Sequence, residues 1–266
     1  MRKILACFKI VNELYNLTTA ELHDICRGED PFAYNRRIIA PFDEAALENA
    51  LRLAEEEKAA GRQAQLIALT VGSADSRFVP DLFAVGFDEV VCLPAEHLPA
   101  YTPEAVAARI AAFVRQSGPF DVILTGQQAP YGENAQTPLL LACILGLPCA
   151  AAVTGLSFGE NGVEVSAQSE TGLCRYTVHG PAVYALGEAT HSFMRLPTLR
   201  EKLAMAGRQA TEISPLSPPP PTLGETVFLH FIPPPAGRQC RFIEGGTDEE
   251  KAAVLWESYI QKAVQP

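Results

Sequence analysis

The groups best placed to hold an anion lie between residues 126 and 137. Gly126, Gln127, Gln128 and Ala129 come first, and Asn134, Ala135, Gln136 and Thr137 follow. An apolar run, Val122 to Leu124, precedes them, and Leu139-Leu140-Leu141-Ala142-Cys143-Ile144-Leu145-Gly146 reads as a buried helix closed by glycine. Strand, glycine, polar loop and helix make the geometry of a nucleotide phosphate site. The strand delivers the chain to the carboxyl edge of a sheet, and glycine admits close approach of the backbone. The helix N-terminus then offers N–H groups and the positive end of its dipole. Gln136 and Thr137 open that helix, so their N–H groups and the threonine hydroxyl are the candidate phosphate ligands. The loop carries neither G-x-G-x-x-G nor a Walker lysine, which removes the dinucleotide fingerprint and the P-loop. An ordinary βα turn with polar filler has the same pattern.

Other chemistries find less support. The seven cysteines form no C-x-x-C and read as reduced core residues, and the five histidines show no H-x-x-x-H spacing, so no metal site is expected. The net charge of -10 argues against a nucleic-acid face, which needs clustered Lys and Arg. No segment reaches about 18 uninterrupted apolar residues, so no membrane insertion is expected. The apolar run at the N-terminus is too short for a signal peptide, and the expected compartment is the cytoplasm.

The elements that must position residues 126–137 are legible from periodicity. Residues 3–9, 65–72, 89–93 and 120–125 read as strands. Helices are expected over 43–60, with Asp43 as N-cap and Gly61 as stop, and over 74–85, kinked at Pro80. Two more are expected over 102–116, with Thr102 as cap and Pro103 at the first helical position, and over 136–146. Four βα units in a row predict a doubly wound, mostly parallel sheet with ligands at the carboxyl ends of its strands. Residues 10–38 are an irregular excursion. After Pro148 the strands at 150–157, 162–168, 173–179 and 182–187 read as antiparallel hairpins added to the sheet. Residues 1–213 thus form one nucleotide-binding α/β domain, 214–221 a proline-rich linker, and 222–266 a C-terminal arm. The arm ends in a helix, Asp248 to Val264, whose apolar face needs a surface to dock on.

Four segments together resemble the β subunit of electron-transfer flavoproteins, in a bacterial form with a long C-terminal arm. They are Lys3 to Lys9; Ala40-Pro41-Phe42-Asp43-Glu44-Ala45-Ala46-Leu47-Glu48-Asn49-Ala50-Leu51-Arg52-Leu53; Asp121 to Thr137 with Leu139 to Pro148; and Leu196-Pro197-Thr198-Leu199-Arg200 with Ala204 and Ala206-Gly207-Arg208. The resemblance implies an adenine-nucleotide α-hydrolase-like fold and a heterodimer with an α subunit. That heterodimer would hold FAD shared between the subunits and carry electrons from a flavin dehydrogenase to a downstream acceptor. The chain would then be an electron-carrier subunit rather than a stand-alone enzyme, with the redox chemistry residing in the flavin.

The resemblance also implies a structural AMP, with contacts falling on Cys7, Ala40, Pro41, Phe42, Asp43 and Val71 and on Gly126 to Thr137. Ala40, Tyr131-Gly132-Glu133 and Ala135 depart from the family pattern. A second FAD in that site, as in bifurcating members, is the alternative; an adenine-nucleotide sensor or enzyme on a related fold is the other. Partner contacts are expected at Arg195, Leu196, Leu199 and Arg200 for a dehydrogenase, and at Trp256 and Tyr259 for the α subunit.

Overall fold

The computed structural model describes residues 1–13, 18, 20–21, 36–72, 77–95, 102–130, 134–213 and 241–261. The linker at 214–221 lies outside the described residues, as does the last part of the terminal helix beyond residue 261. The chain divides into two compact units. One comprises Met1–Asn16 with Phe32–Phe228, the other Leu17–Pro31 with Leu229–Pro266.

The first unit is built on a nine-stranded sheet. Apolar runs without alternation form its centre, as strands covered on both faces require. These are β1 (Arg2–Phe8), β4 (Ala64–Val71), β5 (Glu89–Leu93) and β6 (Val122–Gly126), all mutually parallel where they pair. Between them the chain forms β2 (Ile10–Asn12) and β3 (Arg37–Ile39), which pair antiparallel at the two ends of the stretch 10–38 read from sequence as irregular. The sheet continues with β7 (Cys149–Phe158), β8 (Val163–Ser169), β9 (Gly172–Val178), β10 (Ala182–Leu186) and β11 (Thr211–Glu212), in the order β11-β5-β4-β1-β6-β10-β7-β8-β9.

Residues 182–186 depart from expectation. β10 is not a hairpin strand: it lies between β6 and β7, parallel to both, and within the nine-stranded sheet the antiparallel pairs among the described residues are β7-β8 and β8-β9. The local sequence looks the same in either case; Gly180-Pro181 marks a turn without saying how far the chain travels before it pairs.

Helices cover both faces. On one lies α1 (Pro41–Ala59), with α2 (Val79–Val85) beside it; on the other lie α3 (Pro103–Ser117) and α4 (Thr137–Leu145). Leu47, Leu51 and Leu53 of α1 are buried in the first core, each contributing about 1.5–3 kcal/mol relative to exposure. Helix α1 starts two residues before the expected cap. Pro41 takes the first helical position, where its fixed φ suits the helix and its missing N–H costs nothing, and Ala40 precedes it in extended conformation. Pro80 likewise sits in the first turn of α2 rather than kinking it. A short helix α5 (Leu199–Ala204) opens with a capping box between Thr198 and Glu201, and its Lys202 pairs with Asp81 of α2 at 2.7 Å.

The aspartates that open β5 and β6 share one role. Asp88 accepts the N–H of Leu66 at 2.8 Å and Asp121 accepts the N–H of Lys3 at 2.7 Å, each fastening its strand to the start of the neighbouring one.

In the second unit α6 (Asp248–Leu255) opens with a capping box of Thr247 and Glu250, and Trp256–Ile260 continue it as a wider π-type turn. Trp256 and Tyr259 are both exposed there.

Candidate functional site

From β1 the strand order runs outward through β4 to β5, and then resumes on the other side of β1 with β6 and β10. Connections therefore leave in opposite directions at the carboxyl ends of β1 and β6. A crevice opens at such a point in doubly wound sheets. A cleft of the first unit lies there, between the N-terminal ends of α3 and α4. It brings together Cys7, Asp43, Val71, Gly126, Gln127, Gln128, Ala129, Asn134, Gln136 and Thr137 from the sequence-derived set. Ala40, Pro41, Phe42 and Ala135 do not line it; Ala40 is buried behind it, at the start of α1.

One carboxylate organises the cleft's floor. Asp43 Oδ2 accepts the N–H of Lys9 at 2.8 Å and Oδ1 accepts the N–H of Gly126 at 2.9 Å. It thus ties the first turn of α1 to the ends of β1 and β6, which explains why it does not cap its own helix. Burial pushes its pKa up to about 7, against the pull of the two N–H groups and of the Lys9 charge. The Cys7 thiol beside it is pushed far above the usual range, by burial first and the Asp43 charge second, so it is a packing group rather than a nucleophile. Gly126 is required by space: a Cβ there would lie 2.4 Å from Asp43 Oδ1 and 2.9 Å from both Asp43 N and Phe42 C.

The phosphate end differs in detail from expectation. Helix α4 begins at Thr137, and the N–H of Gln136 is already donated to Asn134 Oδ1 at 3.2 Å. Pro138, in the first turn, brings no N–H. The available grip is therefore the Thr137 hydroxyl and amide and the glutamine side chains rather than a row of backbone donors. Ala135 just before has φ of 50°, a left-handed conformation uncommon for a residue with a Cβ.

Sequence reasoning missed the opposite wall. Leu69, Thr102, Pro103, Val106 and Ile110 line the cleft, together with Phe8, Lys9, Thr125 and Pro138. The signal existed: Thr102-Pro103 marks a helix start, and every helix start at the carboxyl edge next to the switch point faces the crevice.

The segment after β10 lies along α1. Arg195, one of the expected partner contacts, is ion-paired within the chain. Its Nη2 lies 2.8 Å from Glu48 Oε1, its own N–H reaches Glu48 Oε2 at 3.1 Å, and its guanidinium also binds Glu55. Burial would raise the Glu48 pKa, yet the hydrogen bonds and charge of Arg195, with Arg52, hold it below the usual range. Asn49 Nδ2 adds a bond to the His191 carbonyl at 3.3 Å. This scaffold leaves Leu196 85% and Leu199 73% exposed, with Phe193 and Leu203 also outward. Leu199 is thus a surface residue, not a core one, and Arg200 is exposed. The capping box Thr198-x-x-Glu201, readable in the sequence, marks where this segment turns into α5.

No helix among the described residues is long and apolar enough to cross a membrane, and no described cluster of His, Cys, Asp and Glu suits a metal ion.

A doubly wound sheet with a polar-rimmed, apolar-walled crevice at its switch point places the chain among open α/β folds, whose ligand sites lie at that edge. The family model described as electron transfer flavoprotein domain matches residues 33–210. A protein of Escherichia coli K12, provisionally named electron transfer flavoprotein subunit YgcR, is 30% identical over 266 residues, covering 99% of each chain. The electron transfer flavoprotein subunit beta of Megasphaera elsdenii is 28% identical over 219 residues, 78% of this chain and 76% of its own. That of Bradyrhizobium diazoefficiens is 30% identical over 144 residues, 54% and 55% of the two chains. The chain belongs to the electron transfer flavoprotein family.

Proposed function

We propose that this chain is the β-type subunit of an electron transfer flavoprotein. It pairs with an α subunit, contributes one wall of a shared FAD site, and holds AMP as a structural ligand in the crevice between β1 and β6. The observation that carries the nucleotide part is the cleft itself, together with the glycine at its floor. Gly126 leaves no room for a side chain beside the first turn of α1, and the cleft pairs an apolar wall with a polar rim, as a nucleoside monophosphate needs.

The flavin of the heterodimer supplies the redox chemistry. The chain's own part is binding and position. Asp43 has the raised pKa of a general base, but both its oxygens are engaged by backbone N–H groups, so it acts as a clamp. The exposed Leu196 and Leu199, set on a loop braced by Arg195, would meet a partner dehydrogenase. The arm at 222–266, through Trp256 and Tyr259, would dock on the α subunit, with 214–221 as the link from the 1–213 domain. The carrier would work in the cytoplasm.

Co-expression with the α-type gene product from the same source tests the reading. A stable one-to-one complex with a flavin absorbance spectrum is expected. Failure to form any complex, with no flavin on the chain, refutes it.

A further inference from the structure

Two buried hydroxyls among the described residues lack a hydrogen-bond partner, Thr125 Oγ1 and Tyr184 Oη. Tyr184 belongs to the core beneath α1 and does not line the cleft. Thr125 is different: it is 5% exposed and lines the cleft. Its neighbour Ile123, two residues earlier on β6, belongs to the core between the sheet and helices α3 and α4, and strand alternation puts Thr125 on that same face. Cys7, Leu69 and Val71 lie on this face too, with Val106 and Ile110 of α3 closing over them. The surroundings are otherwise apolar, so leaving a hydroxyl unsatisfied here carries a desolvation cost that valine would not.

We propose that Thr125 Oγ1 hydrogen-bonds the nucleoside part of the ligand and sets which nucleoside the cleft accepts. The inference rests on the nucleotide reading of the cleft. The phosphate belongs to the far end, at Gln136 and Thr137, where the helix begins. The apolar end around Thr125 takes the heterocycle or the sugar. Either presents the nitrogen or oxygen that the hydroxyl needs, and the two are told apart by the ligands used.

The test is calorimetric titration of the full-length chain with AMP, adenosine and ribose 5-phosphate, in wild type, Thr125→Val and Thr125→Ser. The valine variant is expected to bind AMP about 5- to 20-fold more weakly, the range of one buried hydrogen bond, with the serine variant within about threefold of wild type. A matching loss for ribose 5-phosphate assigns the contact to the sugar; a loss for adenosine alone assigns it to the base. Without ligand, Thr125→Val should melt at or above the wild-type temperature, because it removes an unsatisfied polar group; a merely structural hydroxyl would lower it. Equal AMP affinity in wild type and valine variant, or equal losses in valine and serine variants, overturns the proposal while leaving the nucleotide reading intact. A wild-type chain that binds none of the three ligands overturns the nucleotide reading, and this inference with it.

Discussion

Gly126→Ala should cost this protein a large part of its stability, and the size follows from the geometry of the clamp. The new Cβ would stand 2.4 Å from Asp43 Oδ1, where ordinary contact begins at 3.4 Å, so the carboxylate and the first turn of α1 must retreat by about 1 Å. The contacts at 2.9 Å to Asp43 N and Phe42 C are backbone, so no side-chain rotation relieves them. Above pH 7, where Asp43 is ionised, retreat breaks the Gly126 N–H bond to it, worth about 1.5–3 kcal/mol for a charged acceptor, and overpacking adds about 1–3 kcal/mol. A combined loss of about 3–5 kcal/mol is expected, against a total of about 5–15 kcal/mol for a typical domain. Urea unfolding followed by circular dichroism reads it as a lower midpoint at unchanged slope. Gly207→Ala is the control: a Cβ there meets nothing within 4 Å, so the change should stay within about 0.5 kcal/mol. A loss under about 1 kcal/mol for Gly126→Ala would refute the argument that close approach of α1 to β6 dictates glycine.

Further outcomes are expected elsewhere in the first unit. Asp43 has its folded pKa raised from 3.8 to about 7, so its contribution is fully present below about pH 4 and is lost as pH rises through 7. Wild type should therefore lose stability relative to Asp43→Asn between those values, and parallel pH profiles of the two would contradict the burial of this group. Ala135→Gly relieves a left-handed backbone conformation and should stabilise the chain by about 1 kcal/mol, read from the same urea curves. Glu48→Ala leaves Arg195 with Glu55 alone and should cost about 1.5–3 kcal/mol; a double-mutant cycle with Arg195→Ala should return coupling rather than additivity. Leu196→Asp should leave the midpoint within about 0.5 kcal/mol yet weaken binding of a partner dehydrogenase about 30-fold, as surface plasmon resonance would measure.

Much of this architecture is readable in the chain because the signals are local. Val122 to Leu124 and Gln65 to Val71 announce buried parallel strands by unbroken apolar runs, and Thr102-Pro103 and Gly146 bound helices with known chemistry. The polar loop before α4 is likewise visible as a break in apolar sequence. What escaped is set by distant contacts. The parallel insertion of β10 between β6 and β7 depends on where a strand pairs, which its own five residues do not encode. Asp43 has the sequence of a helix cap, but Pro41 starts the helix earlier and releases the carboxylate to bind N–H groups 34 and 83 residues away. Arg195 looks like a surface cation until Glu48, 147 residues distant, is brought beneath it. Thr125 is an unremarkable strand residue in sequence; its missing partner is visible only when its neighbours are in place.

We propose that the chain acts as an electron transfer flavoprotein β subunit with a mononucleotide in the crevice between β1 and β6. The most direct test denatures the purified heterodimer and counts the released nucleotides by chromatography. One FAD and one AMP per heterodimer is the expected result. Two FAD, or FAD without AMP, would contradict the mononucleotide reading, and neither nucleotide would contradict the claim as a whole.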